Sequence, residues 1–155
     1  MTAVGETLPE GTLFSSKEGQ SVADLFGSGK HVLVGVPGAF TGTCSNVHVP
    51  SYLNDHEKWA AAGYTLSVVA TADPFMMAAW GETLGAGDKL RLLGDPTGAW
   101  AQALGIAIEG IPFFGTPRYS RFAMTLEDGV IKAFDVEPDK FGTSCSLSDA
   151  LISKI

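Results

Sequence analysis

Cys44 is the residue of this chain best placed to act as a nucleophile, and it closes the stretch Pro37-Gly38-Ala39-Phe40-Thr41-Gly42-Thr43-Cys44. The apolar run before that stretch, His31-Val32-Leu33-Val34-Gly35-Val36, has the length of a buried strand. A turn rich in proline and glycine follows. Thr41, Gly42 and Thr43 then offer capping residues for a helix. Cys44 therefore falls in or near the first turn of a helix that leaves the end of a strand. Unpaired backbone N–H groups and the positive end of the helix dipole collect there, and both favour the thiolate, the attacking form of sulfur. A free cysteine more commonly packs as a small apolar group. A strand that turns into a helix is nevertheless where α/β folds carry reactive groups.

Little competing chemistry is visible. The second cysteine, Cys145, is distant in sequence and sits in a loop of Gly, Ser and Thr that should be mobile. No Cys-x-x-Cys is present, which argues against a thioredoxin-type reductase. The three histidines, His31, His48 and His56, lack zinc spacing toward the cysteines, so no metal and no other cofactor is expected. Gly35-Val36-Pro37-Gly38 does not meet the dinucleotide-binding pattern. His48 lies one helical turn beyond Cys44 on the same side. Protonated, it would raise the local positive potential; a packed or surface histidine is an equal expectation, and it is assigned no catalytic role.

The elements that must position these groups alternate. Residues 5–14 read as an extended lead-in and Ser21–Phe26 as a short helix capped by Ser21. After the strand 31–36 and the motif, one helix is expected from Cys44 to about Ala62, kinked at Pro50. Tyr64–Ala70 is a strand, Asp73-Pro74 opens a helix, Arg91–Leu93 is a short strand and Ala99–Leu104 a short helix. Residues 105–118 form a long loop with Phe113 and Phe114, either an apolar wall beside the site or plain core. Tyr119–Leu126 and Val130–Val136 flank Asp128-Gly129, a hairpin signal. Ser146-Leu147-Ser148-Asp149 opens a final helix with a capping-like pattern. Strands alternating with helices, then a hairpin and a helix, imply an α/β fold with a mixed central sheet and helices on both faces.

The 155 residues suit one domain, 1–155, with its own core. Apolar residues make up 45% and charged residues 17%, the balance of a globular chain. A net charge of −7 argues against nucleic acid and against an anionic membrane as partners. No apolar run is long enough to span a bilayer. The first residues, Met1–Glu6, show no signal core, so the cytoplasm is the expected compartment. Ser153-Lys154-Ile155 differs by one residue from the Ser-Lys-Leu peroxisomal address; a short helix ending in a buried isoleucine is the preferred reading of it.

Pro37, Thr41 and Cys44 stand in a P-x-x-x-T-x-x-C spacing that resembles the signature of the peroxiredoxins, most of all the type II class that includes the animal atypical two-cysteine enzymes. The likeness runs along nearly the whole chain, through His48-Val49-Pro50, Asp95-Pro96-Thr97-Gly98-Ala99, Arg121-Phe122, Asp128–Ala133, Val136-Glu137-Pro138 and Thr143–Leu147. It implies a thioredoxin-like fold and a thiol peroxidase that reduces hydrogen peroxide and alkyl hydroperoxides. Cys44 would be the peroxidatic cysteine, converted to a sulfenic acid. Thr41 would supply a hydroxyl, Arg121 a guanidinium that keeps its charge when partly buried, and Pro37 a shield against water. Cys145 would be the resolving cysteine, forming an intramolecular disulfide that thioredoxin or glutaredoxin with glutathione reduces; a spare thiol in a one-cysteine glutathione cycle is the variant. A homodimer is implied. The rival class is a non-enzymatic redox sensor or binding module on the same scaffold. Many type II relatives have proline where this chain has Gly42, so easier unwinding at Cys44 and less over-oxidation are expected.

Overall fold

In the computed structural model, which describes residues 2–155, the chain forms β1 (Thr12–Phe14), β2 (Gly19–Ser21), α1 (Val22–Phe26), β3 (Lys30–Gly35), a π-helical turn (Cys44–His48), α2 (Val49–Asn54), α3 (His56–Ala61) and β4 (Tyr64–Ala70). There follow α4 (Pro74–Leu84), β5 (Arg91–Gly94), α5 (Ala99–Leu104), β6 (Ala107–Ile108), β7 (Arg118–Tyr119), β8 (Phe122–Glu127), β9 (Val130–Val136) and α6 (Ser148–Ile152). Seven strands make one sheet in the order β2-β1-β5-β4-β3-β8-β9, and β6 pairs with β7 separately. β3, β4 and β5 run parallel and are joined by helical crossovers; β8, β9 and β1 are antiparallel to their neighbours. This is the mixed, thioredoxin-like α/β sheet that the resemblance implies.

Both faces of the sheet are covered, because alternate side chains of a strand point to opposite sides. Val32, Val34 and Val36 pack with Tyr52, Trp59, Met77, Trp80 and Leu151, under α2, α3, α4 and α6. Leu33 packs on the other face with Phe26, Trp100, Leu104 and Phe122, under α1 and α5. Gly35 is required in the central strand, since a Cβ there would overlap the Phe122 ring.

Four expectations are corrected. The helix expected over 44–62 is divided into the π turn, α2 and α3. Val49 N–H donates to Cys44 O five residues back, and Pro50, which has no N–H, sits in the first turn of α2. The lead-in and the residues after it contain the hairpin β1–β2, whose second strand is wholly exposed and so carries no apolar pattern. Leu147 caps α6 without a side-chain hydrogen bond; the Ser148 hydroxyl instead donates to Asp55 Oδ2 at 2.7 Å and accepts from Trp59 Nε1 at 2.9 Å. Ile155 is 52% exposed, not buried, and Lys154 is paired with Asp135.

Candidate active site

Strand register brings the site together. Gly35, the last residue of β3, pairs with Phe122, the first of β8, and Phe122 pairs with Val136, the last of β9. Arg121 and Glu137 therefore stand side by side beyond the strand ends, where Glu137 N–H donates to Arg121 O at 2.9 Å. The turn after β3 delivers Cys44 to the same place. Two residues nearly eighty positions apart thus meet because an antiparallel strand starts where a parallel one stops.

Cys44 is 1% exposed and Arg121 is 2% exposed. The guanidinium serves three acceptors. Its Nη2 donates to Cys44 Sγ at 3.3 Å, Nη1 to His48 Nδ1 at 2.9 Å, and Nε to Phe141 O at 3.2 Å. Among the described residues no carboxylate lies within ion-pair reach of Arg121. Burying a cation without an ion-pair partner is costly, and the guanidinium is aimed at the sulfur of Cys44. Negative charge on that sulfur, and on an oxygen bound beside it, meets a donor already in place.

His48 is fully buried, and its tautomer is set by its partners. Nδ1 accepts from Arg121, so Nε2 carries the hydrogen and donates to Ser146 O at 3.1 Å. Burial, then the neighbouring guanidinium, pushes its pKa down to about 3. The protonated histidine considered from sequence is therefore replaced by a neutral ring that orients Arg121. Tyr52 also donates to Ser146 O, at 2.6 Å.

Glu137 anchors the loop that carries Cys145. Its carboxylate accepts from Ser144 N at 2.7 Å, Ser144 Oγ at 2.6 Å, Cys145 N at 2.8 Å and Ser146 N at 2.8 Å. Burial acts to raise this carboxyl, but the Ser144 hydroxyl and the backbone N–H groups outweigh it and hold the pKa at about 2. Burial, followed by the Glu137 carboxylate, pushes the Cys145 thiol up to about 11. The loop expected to be free is thus fastened, and its thiol is kept protonated there. Cys44 and Cys145 are both free thiols.

The remaining sequence candidates lie in the turn before the helix. Thr41 Oγ1 donates to Gly38 O at 2.7 Å, so its proton is engaged in the turn while its lone pairs stay available. Pro37 is buried, and its carbonyl accepts from Arg118 Nη1 at 3.1 Å. Arg118 was not singled out by the sequence. It stacks over Phe114 at 4.5 Å and ties the 105–118 loop to the active-site turn. Phe113 is 82% exposed, which rules out plain core for that side chain. Among the described residues no three His, Cys, Asp or Glu groups converge as a metal site would.

A profile of the family described as Redoxin matches residues 3–151. The chain is 38% identical over 117 residues to the mitochondrial Peroxiredoxin-2F of Arabidopsis thaliana, a match covering 75% of this chain and 58% of that protein. It is 33% identical over 159 residues to Peroxisomal membrane associated protein 20 of Schizosaccharomyces pombe, covering 100% of both. Among solved structures, reduced Prx3 from Vibrio vulnificus in complex with hydrogen peroxide superposes with a TM-score of 0.94 at 35% identity, covering 100% of both chains. The family match, the full-length likenesses and a guanidinium set on a buried thiol agree: the chain belongs to the redoxin family, as a peroxiredoxin, and is a thiol peroxidase.

Proposed function

We propose that Cys44 is the peroxidatic residue of a single unit spanning residues 1–155, and that it reduces hydrogen peroxide and alkyl hydroperoxides. The Cys44 thiolate attacks one peroxide oxygen, the O–O bond breaks, and water or an alcohol leaves after protonation. Sulfur is oxidised to a sulfenic acid and the peroxide is reduced. The contact of Arg121 Nη2 with Cys44 Sγ at 3.3 Å carries this reading. It places a fixed positive donor where charge develops, in a site shut to water. Thr41 supplies lone pairs and a rotatable hydroxyl at the same turn, and Pro37 supplies shape. The relative solved with hydrogen peroxide supports the substrate class. The exposed Phe113 beside Phe114 suits an alkyl group.

Cys145 acts as the resolving thiol. Its thiolate attacks the Cys44 sulfenic sulfur, hydroxide leaves as water, and an intramolecular disulfide forms. Glu137 opposes its ionisation, so the loop must first leave the carboxylate. A thioredoxin, or a glutaredoxin with glutathione, then supplies two electrons to restore both thiols. Exposed Phe40, Val47, Phe75 and Met76 suit a homodimer. The relatives' names place those proteins in mitochondria and at peroxisomes. For this chain we propose the cytoplasm, since Lys154 is paired with Asp135 and its N–H donates to Leu151 O at 3.0 Å rather than lying in an extended tail. Turnover assays test the cycle. Cys44→Ser should abolish peroxide turnover and Cys145→Ser should lose thioredoxin-dependent turnover; retained activity in Cys44→Ser would overturn it.

A further inference from the structure

The hydrogen bonds around Arg121 close into a ring. From its side chain, Nη1 donates to His48 Nδ1 at 2.9 Å, and His48 Nε2 donates to Ser146 O at 3.1 Å. From Ser146, the backbone N–H donates to Glu137 Oε2 at 2.8 Å. From Glu137, the backbone N–H donates to Arg121 O at 2.9 Å, which returns to the starting residue. A second strap runs through the turn: Lys140 N donates to Glu137 O at 2.9 Å, and Arg121 N donates to Lys140 O at 2.8 Å. Glu137 thus holds Arg121 by its main chain on one side and holds the acceptor for His48 on the other. Every member of the ring is buried: Arg121 at 2%, Glu137 at 1%, and His48 and Ser146 at 0% exposure.

We propose that Glu137 is a positioning residue for the peroxide step, acting on the Arg121 guanidinium through Ser146 O and the His48 tautomer. Without the carboxylate, the N–H groups of residues 144–146 lose their acceptor and Ser146 O is no longer fixed. His48 then loses one of the two contacts that keep its hydrogen on Nε2, and only the Arg121 donor still opposes the other tautomer. A hydrogen on Nδ1 would face a guanidinium that can only donate, and Arg121 would have to turn. The Nη2 donor would move off Sγ, and a shift of about 1 Å at a reacting centre lowers rates by up to about a hundredfold. The carboxylate also reaches His48 electrostatically. Glu137 does not touch Cys44 Sγ, so it acts on the peroxide step through the residues between them. The proposal rests on Cys44 as the peroxide-reactive thiol; it does not need Cys145 as its partner.

The test uses Cys145→Ser protein, in which only the Cys44 reaction is read, with and without Glu137→Gln. Two quantities are measured: the rate constant for thiol loss with hydrogen peroxide, and the nitrogen-15 shifts of the His48 ring, which distinguish the two neutral tautomers. Glu137→Gln should lower the rate constant at least about tenfold and shift the His48 nitrogens away from the Nε2–H pattern. Ser144→Ala removes only the hydroxyl donor at an exposed position, so it keeps the fold if Glu137→Gln does not. It should show a smaller loss, about two- to threefold, with a His48 shift in the same direction. If melting temperature falls in either variant while the His48 shifts and the rate constant stay within twofold of the parent, Glu137 is only a loop fastener and the proposal fails. A parent protein whose Cys44 reacts no faster than free cysteine would overturn the reading of Cys44 together with it.

Discussion

Replacing Arg121 by glutamine should lower the rate constant of Cys44 with hydrogen peroxide by about 100- to 1,000-fold, or about 3–4 kcal/mol of transition-state stabilisation. The size follows from what is removed. The guanidinium is 2% exposed, so water does not screen its donor, and Nη2 lies 3.3 Å from Sγ. One preorganised donor lost from such a site has that order of effect. Arg121→Lys separates charge from geometry. An ammonium keeps the positive charge but cannot reach Sγ, His48 Nδ1 and Phe141 O from one planar fork. At least one buried acceptor is then unmet, at about 1–3 kcal/mol. The lysine variant should fall between wild type and glutamine, about 10- to 100-fold down. Competition with horseradish peroxidase for a limiting dose of peroxide gives the rate constant directly, with circular dichroism to show that each variant is folded. A glutamine variant within threefold of wild type would refute the reasoning. So would a lysine variant equal to wild type, because charge alone would then suffice.

Stability should fall on mild acidification. Folded His48 has a pKa of about 3 against an ordinary 6.5, so between those values the unfolded chain binds a proton that the folded chain does not. That contribution is complete above pH 6.5 and lost downward at about 1.4 kcal/mol per pH unit. Glu137, held at about 2 against 4.5, adds a loss of the same sign lower down. Urea unfolding at about pH 7 and pH 5 reads the His48 window; His48→Asn should flatten it, and an equal slope in that variant would contradict the assignment. Gly42→Pro should stiffen the start of the π turn by about 0.4–1 kcal/mol, since space around Gly42 is open. Mass spectrometry under excess peroxide should then show more sulfinic acid at Cys44; unchanged or lower over-oxidation would refute the role given to Gly42. Alkylation of Cys145 in the reduced protein should be slow until the pH nears about 11 and faster in Glu137→Gln, because the carboxylate keeps that thiol protonated. Equal rates in the two proteins would contradict this.

Local signals carried much of the fold. The apolar run that became β3 and the turn after it are short-range features and stand as read; a helical turn does begin at Cys44, but it is π-helical and Thr43 caps it without a side-chain hydrogen bond. The β8–β9 hairpin followed from Asp128-Gly129, with both residues at positive φ. Long-range features were not legible from pattern. Nothing in the spacing says that Phe122 pairs with Gly35, which is what sets Arg121 against Cys44; only the resemblance supplied that arginine. Glu137 reads as an ordinary charge before a proline, because burial of a carboxylate by backbone donors from residues seven to nine positions later leaves no periodic trace. Arg118 was hidden in a loop for the same reason. The π turn was foreshadowed by Pro50, whose missing N–H demands some irregularity, but a kink and a widened turn have the same sequence cue.

Trapping the first oxidised sulfur tests the central claim most directly. Reduced protein is given one equivalent of hydrogen peroxide in the presence of dimedone, digested and mapped by mass spectrometry. The structure predicts the sulfenic adduct on Cys44 alone, with a Cys44–Cys145 disulfide in the portion that escaped trapping. An adduct on Cys145 with Cys44 left reduced would contradict it.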